Sequence, residues 1–341
     1  MSGALRRALV STALFSYRSN SKTLTLFNVT QQTQTGIRFK SSGKYRAAVL
    51  HEFKKPLVIE EQKHKKLDKH DVRIKVEFCS VNSSDIMICN SLYEINPKLP
   101  FIPGFEVSGE IIELGAKAGE GGLKVGDRVD VWQLPNQVKR AKAVALIDSY
   151  TTALIGLSRR AKLQETDTVL ITAGGGSLGL AALDIAANLF RAKVIAVCET
   201  EEQAAVLRER GAWAALTYNP KETVRKCDEV TGSRGVRIVF DAVGRIVVVA
   251  GTASRLVPSI KTSELLPRSF SLIGVSLRNY RAANHKVYRQ VVQDAIDMAD
   301  QGLVHPVIAK QFPLDKINDA MQYISDGKAT GKVIISMKND D

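Results

Sequence analysis

Residues 168–189, T-V-L-I-T-A-G-G-G-S-L-G-L-A-A-L-D-I-A-A-N-L, constrain this chain more than any other stretch, because they run from a strand pattern through a glycine cluster into a helix pattern. Val169, Leu170 and Ile171 form a short apolar run suited to a buried parallel strand, and Leu180, Leu183, Ala186 and Ala187 then recur at helical spacing. Between them Gly174, Gly176 and Gly179 fill the glycine positions of G-x-G-x-x-G. These serve a tight turn, close approach of backbone to a pyrophosphate, and close packing of helix on strand. Ser177 and Leu178 open the helix, whose first N–H groups lack intrahelical partners and face the phosphates. A bare glycine turn shows the same letters without a ligand; the strand-turn-helix context favours a dinucleotide site.

The surrounding pattern extends that unit. A helical run over 143–157, the glycine unit, a strand at 194–197, a helix at 201–210 and strands at 238–240 and 246–249 alternate as a doubly wound parallel sheet requires. The expected nucleotide-binding domain spans 143–274. Before it, strand runs at 45–50, 72–76 and 107–114 are punctuated by Pro100, Pro103, Gly104 and the turn Gly126-Asp127-Arg128, which describes a small β region. Helical runs at 287–302 and 314–326 and a strand at 333–336 are expected to return to that region, so the first domain is read as 44–142 plus 275–341. A chain of 341 residues with 45% hydrophobic content can build two such cores.

The net charge of +13 resembles a nucleic-acid footprint, yet Arg6, Arg7, Arg18, Lys22, Arg38, Lys40 and Lys44 account for seven of those charges within the first 44 residues. The remainder is only moderately basic, which argues against a nucleic-acid partner. Residues 1–43 contain no acid, are rich in Ser, Thr and Arg, and intersperse Leu5, Leu9, Leu14 and Phe15 with basic residues. They read as a mitochondrial transit peptide removed near residues 38–42, placing the protein in the mitochondrion, with the matrix as the expected compartment. A basic tail without an address and a secretory signal are the rival readings. No apolar run reaches membrane-spanning length, so no membrane insertion is expected. Cys79, Cys89, Cys198 and Cys227 show no C-x-x-C spacing and are expected to be free thiols.

Five ordered segments carry a resemblance: Asn82-Ser83-Ser84-Asp85, Ile102-Pro103-Gly104-Phe105-Glu106-Val107-Ser108-Gly109, Gly126-Asp127-Arg128-Val129, residues 173–179, and Phe240-Asp241-Ala242-Val243-Gly244. With them the chain resembles the medium-chain dehydrogenase/reductase superfamily, and within it the zinc-free quinone oxidoreductase branch with its quinone oxidoreductase-like proteins. The resemblance covers about residues 45–337. It implies a GroES-like β-barrel catalytic domain, a Rossmann domain, a nicotinamide cofactor in the cleft between them, and commonly a homodimer. Zinc-dependent members have Cys where this chain has Asn82 and His where it has Phe105, so two metal ligands are absent and no zinc is expected. Glu106 is read as a local hydrogen-bond acceptor.

The resemblance implies that Asn82 and Tyr93 lie beside the substrate, where an amide and a phenol can donate to a developing enolate oxygen. A turn-stabilising Asn and a half-buried core Tyr remain open alternatives. Met87 occupies a position where some relatives have Tyr. Tyr218 and Lys328 match positions that hold the 2′-phosphate in NADPH-using relatives, and Val243, Gly244 and Gly251 match the nicotinamide end. Against this, Gln203 replaces a Lys, Glu199, Glu201 and Glu202 crowd the same turn, and Cys198 stands where NAD-specific relatives keep Asp. The balance tilts to NADPH over NADH.

Two departures are larger. Only Gly244 separates the strand ending at Val243 from the strand beginning at Arg245, where the family has a crossover helix. The Gly126-Asp127-Arg128-Val129 segment also runs almost directly into Trp132-Gln133-Leu134-Pro135, where the family has a further barrel segment. Each domain is therefore read as missing a segment, and an incompletely spliced or incorrectly predicted gene product explains the pattern better than drift. Residues 240–249 are then expected to pair antiparallel through Gly244 or to leave one strand outside the sheet, and the barrel to expose an unpaired edge. The function expected is hydride transfer from NAD(P)H to a quinone or α,β-unsaturated carbonyl without zinc. A catalytically impaired nucleotide-binding protein and a mitochondrial enoyl-thioester reductase are the alternatives.

Overall fold

The computed structural model describes residues 43–93, 96–130, 132–135, 137–242, 248–250, 265 and 271–337. The expected cofactor residues Val243, Gly244 and Gly251 lie outside the described residues. The described residues fall into two units, 43–46 with 61–65 in one and those of 47–60 and 66–337 in the other. Within the first, Tyr45 stacks on His64 with ring centroids 5.2 Å apart, and Lys44 pairs with Glu61 at 2.8 Å.

Strands β1 (Lys44–Val49) and β2 (Val58–Lys63) pair with each other. The second unit holds two six-stranded sheets. The first uses β3 (Val72–Val81), β4 (Val107–Leu114), β5 (Arg128–Asp130) and β6 (Trp132–Gln133), with helix α1 (Ser83–Cys89) after β3. It is completed from the far end of the chain by β13 (Ile308–Pro313) and β14 (Lys332–Ser336), with α9 (Ile317–Ser325) between them, in the order β13-β14-β3-β4-β5-β6. Of the tail expected to return to the first region, the part from Ile308 onward enters the first sheet, where β14 runs antiparallel to β3 with Val333 opposite Val81, whereas the preceding helix, His285–Asp300, packs on the helix Ile147–Leu154 beside the parallel sheet. One core cluster, including Leu50, Val81, Cys89, Ala320 and Ile335, lies where β3, β14, α1 and α9 meet.

The second sheet contains β7 (Thr168–Thr172), β8 (Lys193–Cys198), β9 (Ala214–Thr217), β10 (Ile238–Asp241), β11 (Val248–Val249) and β12 (Ile273–Gly274). Its order is β12-β11-β10-β7-β8-β9 and its pairings are parallel. The sequence alternation predicted this doubly wound arrangement. The reason is visible in β8, where all five residues after Lys193 are buried because both faces of the sheet are covered. The covering helices include α3 (Ile147–Leu154), which follows the short α2 (Arg140–Ala143), and α4 (Ser177–Leu183), and α3 packs on α4. Both continue in π-helical turns, closed by i→i+5 hydrogen bonds, to Arg160 and Leu189 respectively. The remaining helices are α5 (Glu201–Glu209), α6 (Thr223–Thr231), α7 (Leu277–Ala283) and α8 (His285–Asp300). Among the described residues no helix is long and apolar enough to cross a membrane.

The expectation for residues 240–249 is corrected. β11 neither turns antiparallel nor leaves the sheet; it runs parallel to β10, with Phe240 opposite Val248 and Asp241 opposite Val249. β11 contains only two residues, so little of β10 has to be retraced before the two strands pair. The return along the strand is about one residue rise, roughly 3 Å, and the sideways step is about 4.8 Å, both within reach of a few residues. The requirement for a long crossover belongs to full-length strands. At the other departure, β6 folds back on β5 with Asp130 opposite Trp132 and forms one edge of its sheet. The Arg128 guanidinium anchors the following segment by donating to the carbonyls of Pro135 and Val138 at 3.3 and 2.7 Å.

Candidate active site at the head of the parallel sheet

The order of strands reverses between β7 and β10, and a doubly wound sheet binds ligands beyond the carboxyl ends of its strands at such a switch point. The glycine turn sits there, between β7 and α4. Its entry is tied to the neighbouring strand by the Gly174 N–H, which donates to the Val197 carbonyl at 2.7 Å. Gly179 is the position where only hydrogen fits: a Cβ there would meet the Ala173 oxygen at 2.3 Å and the Gly174 Cα at 2.7 Å. Gly174 and Gly179 are buried, whereas Gly176, Ser177 and Leu178 keep partial exposure. The turn therefore has a packed inner side and an accessible outer side, as backbone contact with a phosphate requires.

Beside it lies a buried polar network that sequence reasoning found only in part. Lys332, at the start of β14, is 2% exposed. Its ammonium pairs with Glu106 Oε2 at 2.7 Å and donates to Asn82 Oδ1 at 2.8 Å. An ammonium has no acceptor, so the Asn82 atom facing it must be oxygen. The Asn82 amide nitrogen accordingly donates to Ser80 Oγ at 2.9 Å and to Glu106 Oε2 at 3.1 Å, and Ser80 Oγ donates to Glu106 Oε2 at 2.6 Å. Glu106 Oε1 receives the Asp148 N–H at 2.7 Å. Both amide hydrogens of Asn82 are thus engaged within the protein, while its backbone N–H donates to Asp85 Oδ2 at 2.8 Å in the capping box that starts α1.

This network is joined to the glycine turn by two routes. Ser149, next to Asp148 at the start of α3, lies with its hydroxyl 2.8 Å from that of Ser177. Gly331, next to Lys332, donates its N–H to the Gly175 carbonyl at 3.0 Å. Tyr93, the other expected donor, is half-buried on the segment after α1. Phe105 is 47% exposed beside the buried Glu106. The clue to Lys332 was present in the sequence: a lysine heading the apolar run V-I-I.

The charges are strongly coupled. Burial by itself raises the Glu106 carboxyl, but the Lys332 charge and the donated hydrogen bonds outweigh it and hold the group below its ordinary value. Lys332 shows the converse: burial pulls it down, and Glu106, then Asp148, hold it above the usual lysine value. Burial pushes Asp148 up to about 6, reinforced by Glu106. Burial likewise pushes Asp85 up to about 7 against the Asn82 N–H, and Asp85 Oδ1 has no hydrogen-bond partner among the described residues. A raised carboxyl binds its proton more tightly folded than unfolded. Stability from Asp85 is therefore full below the unfolded value near 4 and is lost as pH rises to about 7, by about 4 kcal/mol over the interval. Asp85→Asn keeps an acceptor for the Asn82 N–H, and urea midpoints from pH 4 to 8 should decline less steeply than those of the parent; parallel profiles would exclude this origin.

At the outer end of β8, the Tyr218 N–H donates to the Cys198 carbonyl at 2.7 Å, which places Tyr218, 49% exposed, beside the strand end. Gln203 is buried and structural: its Oε1 accepts the Glu199 N–H at 3.0 Å, and its side chain fills the space where a Gly175 Cβ would stand. Glu199 Oε2 lies over Gly327, only 2.7 Å from where a Cβ would be, and Lys328 follows with its ammonium 2.8 Å from Asp326. Tyr218 is thus tied to Cys198, and Lys328 follows the Gly327 that the neighbouring Glu199 side chain covers. None of the four cysteines is in a disulfide, and among the described residues no cluster of three His, Cys, Asp or Glu could hold a metal.

Fold and site together define a protein of the dinucleotide-binding class, in which a parallel sheet carries the glycine turn and a mostly antiparallel sheet carries Lys332. Residues 68–165 match the family model described as alcohol dehydrogenase GroES-like domain, and residues 210–335 the one described as zinc-binding dehydrogenase. Quinone oxidoreductase-like protein 2 of Bos taurus is 35% identical over 327 residues, 86% of this chain and 93% of the relative. Quinone oxidoreductase of Homo sapiens is 28% identical over 301 residues, 78% of this chain and 89% of the relative. The structure of Escherichia coli quinone oxidoreductase complexed with NADPH superposes with a TM-score of 0.75 at 22% identity, covering 86% of this chain and all of that one. The chain belongs to the medium-chain dehydrogenase/reductase superfamily, among the quinone oxidoreductase-like proteins.

Proposed function

We propose that this chain is a zinc-independent oxidoreductase that transfers hydride from NADPH, in preference to NADH, to a quinone or an α,β-unsaturated carbonyl. The observation that carries the reading is the glycine turn, packed on its inner side by Gly179 and open at Gly176, Ser177 and Leu178, at the switch point of the parallel sheet. Those three residues would hold the pyrophosphate, and Tyr218 and Lys328 the 2′-phosphate. The bound nicotinamide supplies the hydride. Tyr93 is the donor for the oxygen that gains charge, and Asn82, its amide engaged by Lys332, Ser80 and Glu106, acts as a positioning residue.

The donors at the former metal position do not fit a zinc ion. Phe105 offers no ligand atom, and the oxygens of Asn82 and Glu106 already face an ammonium that would repel a second cation. NADPH oxidation by an ortho-quinone or an enone should therefore persist in protein treated with EDTA; activity lost on chelation and restored by zinc would overturn the reading. Protection against thermal unfolding by NADPH and NADH tests the cofactor independently, because a ligand that binds only the native state raises its stability. The short span of residues 242–247 supports a second reading, a nucleotide-binding protein without turnover. Protection by NADPH with no oxidation across quinones and enones would select it. The acid-free residues 1–43 support a mitochondrial location for either.

A further inference from the structure

We infer that the connector joining α9 to β14, residues 326–331, is clasped to the glycine turn at both ends, and that its anchor Gln203 is a positioning residue for the choice of NADPH over NADH. The inference rests on the reading of Lys328 as a partner of the 2′-phosphate and adds what holds Lys328 in place.

Gln203, 8% exposed on the first turn of α5, joins three segments through one side chain. Its Oε1 accepts the Glu199 N–H at 3.0 Å, and its Nε2 donates to the Gly327 carbonyl at 3.5 Å. These partners fix the orientation of the amide, since an N–H needs an oxygen and a carbonyl needs an N–H. The same side chain packs on the glycine turn, with its Cδ 2.8 Å from where a Gly175 Cβ would stand. The other end of the connector is held by the same glycine. The Gly331 N–H donates to the Gly175 carbonyl at 3.0 Å, and Gly331 forms a parallel bridge with Gly176. Gly331 has a φ of +106°, and a Cβ there would stand 2.7 Å from the Val307 oxygen, so this approach requires glycine.

Only Lys328, Ala329 and Thr330 lie between the two anchored glycines, and the Lys328 N–H donates to the Tyr323 carbonyl at 3.2 Å. The backbone of Lys328 is therefore fixed relative to the glycine turn, while its side chain stays exposed. Its ammonium rests on Asp326 Oδ2 at 2.8 Å, and the other oxygen of that carboxylate accepts from Gln322 at 2.5 Å. An exposed pair of this kind is weak and screened by salt, so a phosphate group offering several charge-assisted hydrogen bonds can displace the carboxylate. NADH carries a hydroxyl at that position and gains nothing from the exchange. Gln203 thus acts on the group that distinguishes the two nucleotides, and Asp326 competes with that group for Lys328.

Dissociation constants for NADPH and NADH, measured by titration calorimetry of the full chain at one ionic strength, test the inference. Gln203→Met keeps a side chain against Gly175 and removes both hydrogen bonds, so NADPH should weaken by about fivefold or more and NADH by less than about twofold. Gln203→Asn, too short to span from Glu199 to Gly327, should reproduce the shift. A merely structural glutamine would weaken both nucleotides alike. Asp326→Asn keeps an acceptor for Gln322 and releases Lys328, so NADPH should tighten by about two- to fivefold with NADH unchanged. In a Lys328→Gln background none of these substitutions should alter the ratio of the two constants. Equal losses for both nucleotides in the Gln203 variants, no change in Asp326→Asn, or the same shifts without Lys328 overturn the inference and leave the nucleotide site standing. A parent that binds neither nucleotide, or binds NADH as tightly as NADPH, overturns the cofactor reading and this inference with it.

Discussion

Lys332→Met should destabilise the protein by about 3–5 kcal/mol, the cost typical of removing one partner from a buried ion pair. The reason lies in what is left behind. Glu106 Oε2 would retain Ser80 and Asn82 as donors but lose the only cation that contacts it among the described residues, and Asn82 Oδ1 would lose its donor. Glu106→Gln alone should also destabilise, by leaving the ammonium without its anion. The double variant should recover much of the loss, since a neutral pair removes both desolvation penalties. Urea unfolding of the parent, both single variants and the double variant measures the coupling directly; additive losses would show that the pair contributes nothing as a pair. NADPH protection followed in the same variants reports whether the network also supports the glycine turn through Gly331 and Ser149.

Gly179→Ala is expected to abolish nucleotide protection and to cost several kcal/mol of stability, in the range of overpacked or strained core substitutions. The added Cβ would overlap backbone atoms, not the movable end of a side chain, so α4 must shift away from β7. Gly176→Ala is the contrasting case. Its nearest contact, the Ala173 oxygen at 3.3 Å, is tight but needs only a small shift of the turn, so the melting temperature without ligand should fall much less than in Gly179→Ala while cofactor affinity is lost. If Gly179→Ala melts and binds like the parent, close helix-to-strand packing is not what that glycine provides.

Much of this architecture was legible because its signals are local. The apolar run at β7, the glycine spacing and the helical recurrence after it lie within a few consecutive turns of chain, and each element forms where its own residues favour it. β4 was bounded at Val107–Leu114 from proline and glycine punctuation alone. The short pieces were missed, among them α6, α7, β12 and β13, which carry few buried apolar positions of their own. The misreading of residues 240–249 came from applying the geometry of long parallel strands to a two-residue strand.

Asn82 and Glu106 were singled out for what their side chains could do alone, and their chemistry depends on a lysine 250 residues after Asn82 in the chain. What the sequence by itself determined is the strongly patterned elements, their alternation and the glycine turn, because hydrophobic period and backbone freedom act between near neighbours. Only the tertiary structure decided which polar groups share a buried site. Strand β14 closes against β3 from the far end of the chain, and that pairing carries Lys332 to Glu106, engages both amide hydrogens of Asn82 and ties Gly331 to the nucleotide turn. No local period encodes a contact that burial and charge make favourable only after two distant strands have paired.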